Sequence, residues 1–162
     1  MPKIGILGCD ATTRDMDCVM IGCLGNLSGR KGKFEQYSAD DPPELVGIIH
    51  CGGCPTAVGT DRVWQKVKAL KEYGIEAVHL TSCLVQICPF KDDFVKAIRK
   101  EYPEIKVVEG THPFHDLNAF RRGIQELSSQ RAVTPQKMND IVFKRIKIHT
   151  DEDEKEGKNK LS

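Results

Sequence analysis

Apolar positions along the chain fall into short blocks whose spacing alternates between strand-like and helix-like. Residues 3–8, KIGILG, form an apolar run that reads as a buried strand ending in Gly8-Cys9-Asp10. Met16, Val19, Met20, Cys23, Leu24 and Leu27 then recur at the i, i+3, i+4, i+7 spacing of one helix face. Thr12 or Thr13 suits the start of that helix and Gly29 its end. Residues 33–38, KFEQYS, read as a second short strand, and Asp40-Asp41-Pro42-Pro43 break the chain after it. ELVGIIHC (44–51) reads as a third strand, followed by Gly52-Gly53-Cys54-Pro55. Asp61 to Tyr73 is an amphipathic helix with Val63, Trp64, Val67 and Leu70 inward and Gly74 as its stop. IEAVHLTSC (75–83) is a fourth strand, and Asp92 to Glu101 a helix with Phe94, Val95 and Ile98 inward. IKVVEG (105–110) is a fifth strand, leading through THPFHD into a helix over 117–127.

Strands that alternate with helices of this length predict an α/β fold: a mainly parallel, five-stranded sheet in three layers, flavodoxin- or Rossmann-like. A 2-1-3-4-5 strand order places the strands at 3–8 and 44–51 side by side at the switch point. Residues 1–130 make the α/β domain. Thr134-Pro135 opens a helical extension over 131–149, Pro135 suiting a first helical turn. Residues 150–162, with DEDEKEGKNKLS, read as a disordered charged tail.

Composition narrows the function. A chain of 162 residues with 40% hydrophobic content fills one core without needing a metal or disulfides to fold. Its net charge of +1, from 24 basic and 23 acidic residues, argues against a nucleic-acid partner. MPKIGILGCD lacks the basic and apolar regions of a secretion signal, and no apolar run is long enough to span a membrane. A cytoplasmic location follows as an expectation. There, seven cysteines read as metal ligands or redox groups before they read as disulfides.

The positions of those cysteines carry the chemistry. Cys9 follows the first strand, Cys51 and Cys54 follow the third, Cys83 ends the fourth, and Cys88 opens the next helix. His112 and His115 follow the fifth strand. In an open parallel sheet these places share the edge formed by the carboxyl ends of the strands, where ligands bind. Thiolates crowded together repel, and a bound cation relieves the conflict. Cys51-Gly52-Gly53-Cys54 has the C-x-x-C spacing that lets two sulfurs reach one metal or cluster. Cys54-Pro55 and Cys88-Pro89 also resemble the Cys-Pro step at a ferredoxin's last cluster ligand. By periodicity alone Cys23 also reads as a core residue, Cys18 as lying opposite the apolar stripe, and His50 and His79 as core histidines. His149 reads as inert in the polar tail, and the 112–115 spacing fits either a site or a simple turn. No G-x-x-x-x-G-K-[ST] or G-x-G-x-x-G is present, and the glycine- and base-rich GNLSGRKGK (25–33) reads as a surface turn leading to the second strand, with phosphate contact as the alternative.

HCGGCP (50–55), VHLTSC (78–83), ICPF (87–90) and EGTH (109–112), with an upstream Cys18-x4-Cys23 pair, resemble the CGGC-domain family over about residues 3–125. Val19-Met20 follows Cys18 where that family often has Pro-Gly. The resemblance implies a prokaryotic, cysteine-rich protein whose cysteines and histidines suggest metal binding, commonly zinc, with no established reaction. It implies a ligand set of Cys9, Cys18, Cys23, Cys51, Cys54, Cys83, Cys88 and His112, in which Cys18 and Cys23 rest on the resemblance alone.

Three functions fit. The first is a cysteine-ligated metalloprotein, holding zinc or an iron–sulfur cluster, with a redox or sulfur-handling role and an electron-transfer partner. Cysteines beyond the four that either group needs lean toward the cluster. The second is a thiol–disulfide oxidoreductase using Cys51 and Cys54. The third is a non-catalytic binding module whose metal stiffens the crevice.

Overall fold

A computed structural model describes residues 1–52 and 61–130. Four parallel strands form one sheet: β1 (Lys3–Gly8), β2 (Glu44–His50), β3 (Ala77–Leu80) and β4 (Lys106–Glu109), in the order β2-β1-β3-β4. The helices are α1 (Asp10–Asp15), α2 (Ile21–Ser28), α3 (Asp61–Glu72), α4 (Ser82–Ile87), α5 (Lys91–Glu101) and α6 (Leu117–Gln130). No described helix is long and apolar enough to cross a membrane. By internal contacts the chain divides into Met1–His115 and Asp116–Ser162. In the second unit, the Asp116 carboxylate accepts the Ala119 N–H at 2.8 Å, the N-cap bond that starts α6. Gly53-Cys54-Pro55, the helical extension expected over 131–149 and the disordered tail expected over 150–162 lie outside the described residues.

Alternate residues of the two central strands feed separate apolar clusters. Leu7, Val78 and Leu80 pack with Val63, Val67 and Leu70 of α3, Leu84 of α4, and Phe94, Val95 and Ile98 of α5. Ile4, Ile6 and Ala77 pack with Met20, Cys23 and Phe34. The α3 and α5 faces are thus those the periodicity predicts. Leu70 explains two glycines: a Cβ on Gly5 or on Gly47, its partner across β1 and β2, would lie 2.5 or 2.9 Å from a Leu70 methyl carbon. The bare backbone lets α3 settle onto the sheet, and Lys66 of α3 donates to the His50 carbonyl at the end of β2.

Three features differ from the sequence reading. Residues 33–38 are not a strand: Gly32–Phe34 is a 3-10 turn, continued by Glu35 N–H to Gly32 O and Tyr37 N–H to Phe34 O. The apolar residues Phe34 and Tyr37 are three apart, the period of a 3-10 helix and not the two of a strand. With that strand gone the sheet has four strands, 44–50 takes the edge beside β1, and β3 pairs with the other side of β1. The long first helix is really two. The chain leaves α1 at Met16 and re-enters at Ile21 through Asp17 and Met20, both left-handed at φ 51° and 58°. Met20 and Cys23 stay buried, while Val19 and Ile21 are exposed. Lastly, the strand expected over 75–83 stops at Leu80. Cys83 therefore lies in the first turn of α4 and Cys88 caps its end, three residues before α5.

Candidate functional site

The strand register assembles the site. Gly8 stands opposite His50, Leu7 opposite Leu80, and Leu80 opposite Glu109. Cys9, Cys51, Thr81 and Gly110 are the next residues on the four strands. The N–H groups of the last three continue the ladder where the sheet ends: Cys51 to Gly8 O at 3.2 Å, Thr81 to Leu7 O at 2.9 Å, and Gly110 to Leu80 O at 2.9 Å. The connection after β1 runs outward to β2, and the next one returns across β1 to β3. That reversal opens the crevice between the ends of β1 and β3, where Cys9 and Cys83 stand.

One thiol group gathers on the α3 side. Cys9 and Cys51 are buried in the larger apolar cluster, and half-buried Cys83 packs against it. Thr12 ties the group together: its hydroxyl donates to the Cys9 carbonyl at 2.9 Å and lies 3.4 Å from the Cys83 sulfur. The Cys83 thiol also donates to the Thr81 hydroxyl at 3.1 Å. Burial pushes the Cys9 thiol up to about 11; the nearby Cys83 and Cys51 raise it further, against the lowering effect of hydrogen bonds from Thr12. Without a cation Cys9 is a neutral thiol.

A second group lies on the α2 side. The Cys23 sulfur is 3.3 Å from the Thr111 hydroxyl and 3.6 Å from His112 Nδ1. Burial raises the Cys23 thiol, the Thr111 hydrogen bond opposes this, and Cys83 and Cys18 add to the rise. Cys83 therefore bears on both groups. Ser82 fixes the loop that carries His112, donating to the His112 carbonyl and accepting the Thr111 and His112 N–H groups at 3.0 Å each. Gly22 gives the imidazole room: a Cβ there would stand 3.1 Å from His112 Nε2. Burial lowers the His112 pKa.

The remaining candidates spread out. Cys18 sits exposed in the break between α1 and α2. Cys88, half-buried, lies five residues along α4 from Cys83, about 8 Å at helical rise. Cys54 lies outside the described residues, and His115 is exposed. His79 is a satisfied core histidine, as the sequence suggests, bonded to the Tyr37 hydroxyl at 2.8 Å and the Gly110 carbonyl at 3.3 Å. His50 is not: its Nε2 is buried without a hydrogen-bond partner among the described residues, and its ring lies against Gly8. The sequence reading also passed over Thr12, Thr81, Ser82 and Thr111. Their signal was a hydroxyl residue within two or three positions of a strand-end cysteine or histidine.

The donor set suits a soft cation: clustered thiols whose charges oppose one another, and a buried imidazole nitrogen lacking a partner. Among the described residues, no three Cys, His, Asp or Glu side chains stand close enough to hold a metal as placed. The same burial orders thiol reactivity. In reduced, metal-free protein at pH 8, iodoacetamide is expected, among the six described cysteines, to label Cys18 first and Cys9 and Cys23 last, because attack needs an accessible thiolate. Peptide mass spectrometry over a labelling time course checks this order; Cys9 labelled as fast as Cys18 would contradict it.

No curated protein and no solved structure matches the chain. The CGGC-domain family model matches residues 3–112, which run from the start of β1 to the imidazole beside Cys23. The chain belongs to the CGGC-domain family.

Proposed function

We propose that the Met1–His115 unit binds a metal through thiolates at the carboxyl edge of its sheet. The observation that carries this is the meeting of Cys9, Cys51 and Cys83, brought from three strand ends to where Cys51 and Cys83 both oppose ionisation of Cys9. A cation reverses that opposition. Cys9, Cys51, Cys54 and Cys83 are the primary ligands. Cys23, His112, Cys18 and Cys88 form the remainder of the ligand set, with His50 as a further nitrogen donor. A bound iron–sulfur cluster would supply one-electron transfer to a protein partner, and a bound zinc would supply a cross-link between strand ends. The number of cysteines favours the cluster. Redox or soft-ligand chemistry also suits the site better than hydrolysis, since thiolate charge blunts a metal's Lewis acidity. The acids nearest in sequence have other work: Asp10 pairs with Arg14 at 3.2 Å and Asp116 caps α6. On the same reading the domain is a doubly wound, three-layer sheet of flavodoxin or Rossmann type on four strands, acting in a reducing cytoplasm.

The test is elemental analysis and visible absorption of full-length protein purified without oxygen. Near-stoichiometric metal is expected, with most of it lost in Cys51→Ser and in Cys54→Ser. Absorption that dithionite bleaches identifies a cluster; colourless protein holding zinc identifies the ion. Metal-free protein whose stability does not respond to iron or zinc would refute both. The C-x-x-C spacing supports a second reading, disulfide exchange by Cys51 and Cys54. Reductase activity in metal-free protein, lost in either serine variant, would select it.

A further inference from the structure

His112, whose Nδ1 faces Cys23, also lines an open cavity of about 370 Å³, together with Lys33, Val85, Glu109, Pro113 and Phe114 among others. Its charges are unequal. Glu109 is held by Lys91 at 2.9 Å and faces Arg99 at 3.8 Å, while Lys91 also pairs with Asp92 at 2.6 Å. Those four charges cancel. The Lys33 ammonium has no ion-pair partner among the described residues, so the cavity keeps one uncompensated positive charge.

The Lys33 backbone is fixed by an N–H bond to the Thr111 carbonyl at 3.1 Å. Its aliphatic stem lies over Gly110, where a Cβ would stand 3.2 Å from Lys33 Cγ, and Gly110 has φ +116°. A second glycine shapes the same wall: a Cβ on Gly32, at φ +58°, would lie 2.7 Å from the Thr111 carbonyl oxygen. On His112, Nδ1 faces two groups with a hydrogen to give, the Thr111 hydroxyl at 3.1 Å and the Cys23 thiol at 3.6 Å. When Nδ1 accepts from one of them the ring hydrogen is on Nε2, which has no partner among the described residues. Phe114 packs beside this ring with centroids 5.6 Å apart, and Val85 and Pro113 extend the apolar wall.

We propose that this cavity binds a small organic carboxylate, its head between Lys33 and His112 and its apolar body against Val85, Pro113 and Phe114. A single free cation beside an apolar wall matches a monoanion with an apolar body. A phosphate dianion would leave the apolar wall unused and bring a second negative charge near Glu109. The volume falls in the range of small-molecule sites. The cavity shares His112 with the proposed ligand set, whereas Lys33, Val85, Pro113 and Phe114 stand outside it, so lost benzoate binding in Lys33→Met with unchanged metal content tells this proposal apart from the metal reading.

Titration of the full-length protein with benzoate tests this, followed by calorimetry and by the His112 ring signals in carbon–proton correlation spectra. Saturable one-to-one binding that shifts the His112 signals is expected. Benzamide, which lacks the charge, should bind at least about tenfold more weakly, as should benzoate to Lys33→Met. Lys33→Arg should keep most of the affinity. Lys33 is exposed, so both variants should fold, and circular dichroism checks that they do. Absence of saturable benzoate binding, equal binding of benzamide, unchanged affinity in Lys33→Met, or tighter binding of inorganic phosphate than of benzoate would each overturn the proposal.

Discussion

Phe34→Ala is expected to destabilise the protein by roughly 3–5 kcal/mol, the range for removing a buried phenyl ring. Phe34 has no solvent exposure and sits in the smaller apolar cluster with Ile4, Ile6, Met20, Cys23 and Ala77. Its ring also stacks on His79, with centroids 4.4 Å apart and planes 24° from parallel. The strands beneath it cannot move in to fill the gap, since β1 and β3 are each hydrogen-bonded on both sides. The cavity therefore stays open and the full cost remains. Cys23 lines the same cluster, so its alkylation should quicken in the variant as its cover is lost. Phe34→Leu keeps most of the volume and should cost about 1–2 kcal/mol. Urea unfolding of reduced protein at pH 7 measures both. A loss below 1 kcal/mol in the alanine variant would remove Phe34 from the centre of this cluster.

Acid should weaken the fold between pH 6.5 and 4 through His79. Burial lowers its pKa from the ordinary 6.5 to about 4; the bond to the Gly110 carbonyl acts the other way, and Lys106 lowers it slightly more. Above pH 6.5 the ring is neutral in both folded and unfolded chains and adds no pH dependence. As pH falls below 6.5 the unfolded chain takes up a proton that the folded one refuses, so stability drops by roughly 1.4 kcal/mol per pH unit. Near pH 4 the folded ring protonates too and the loss levels off at about 3 kcal/mol. The neutral ring donates from Nδ1 to the Gly110 carbonyl and accepts the Tyr37 hydroxyl at Nε2. Urea midpoints at pH 7, 5.5 and 4.5, for wild type and His79→Gln, isolate the contribution. The variant should be less stable at pH 7 and show a flatter acid limb. Parallel limbs would assign the acid sensitivity to other groups.

The sequence pattern located α3 and α5 because each carries a helical period and buries one consistent face, and the four strands because each is a short apolar run, with β1 and β3 buried on both faces. Val63, Val67 and Leu70, and Phe94, Val95 and Ile98, are buried where helical spacing puts them. The same regularity made the carboxyl-edge gathering legible: parallel strands place their last residues in one row whatever lies between them. What failed was local geometry set by single residues. The positive φ of Met20 and Asp17 splits a helix that periodicity reads as continuous. Gly32, also at positive φ, starts a turn over residues read as a strand. Losing that strand also altered the order, so the crevice lies between β1 and β3, not between the neighbours expected. The hydroxyl groups of Thr12, Ser82 and Thr111 escaped notice because their role in the site depends on partners between 29 and 88 positions away. His50 looked like an ordinary strand histidine, and only its buried, unpartnered nitrogen sets it apart.

Thiolate ligation at the sheet edge is the central claim, and X-ray absorption at the metal edge, on protein purified without oxygen, tests it most directly. A first shell dominated by sulfur, at about 2.3 Å for either zinc or a cluster iron, is the expected result. In Cys51→Ser and in Cys83→Ser the sulfur count should fall or the metal should be lost. A shell of oxygen and nitrogen alone, or a sulfur shell unchanged in both variants, would contradict it.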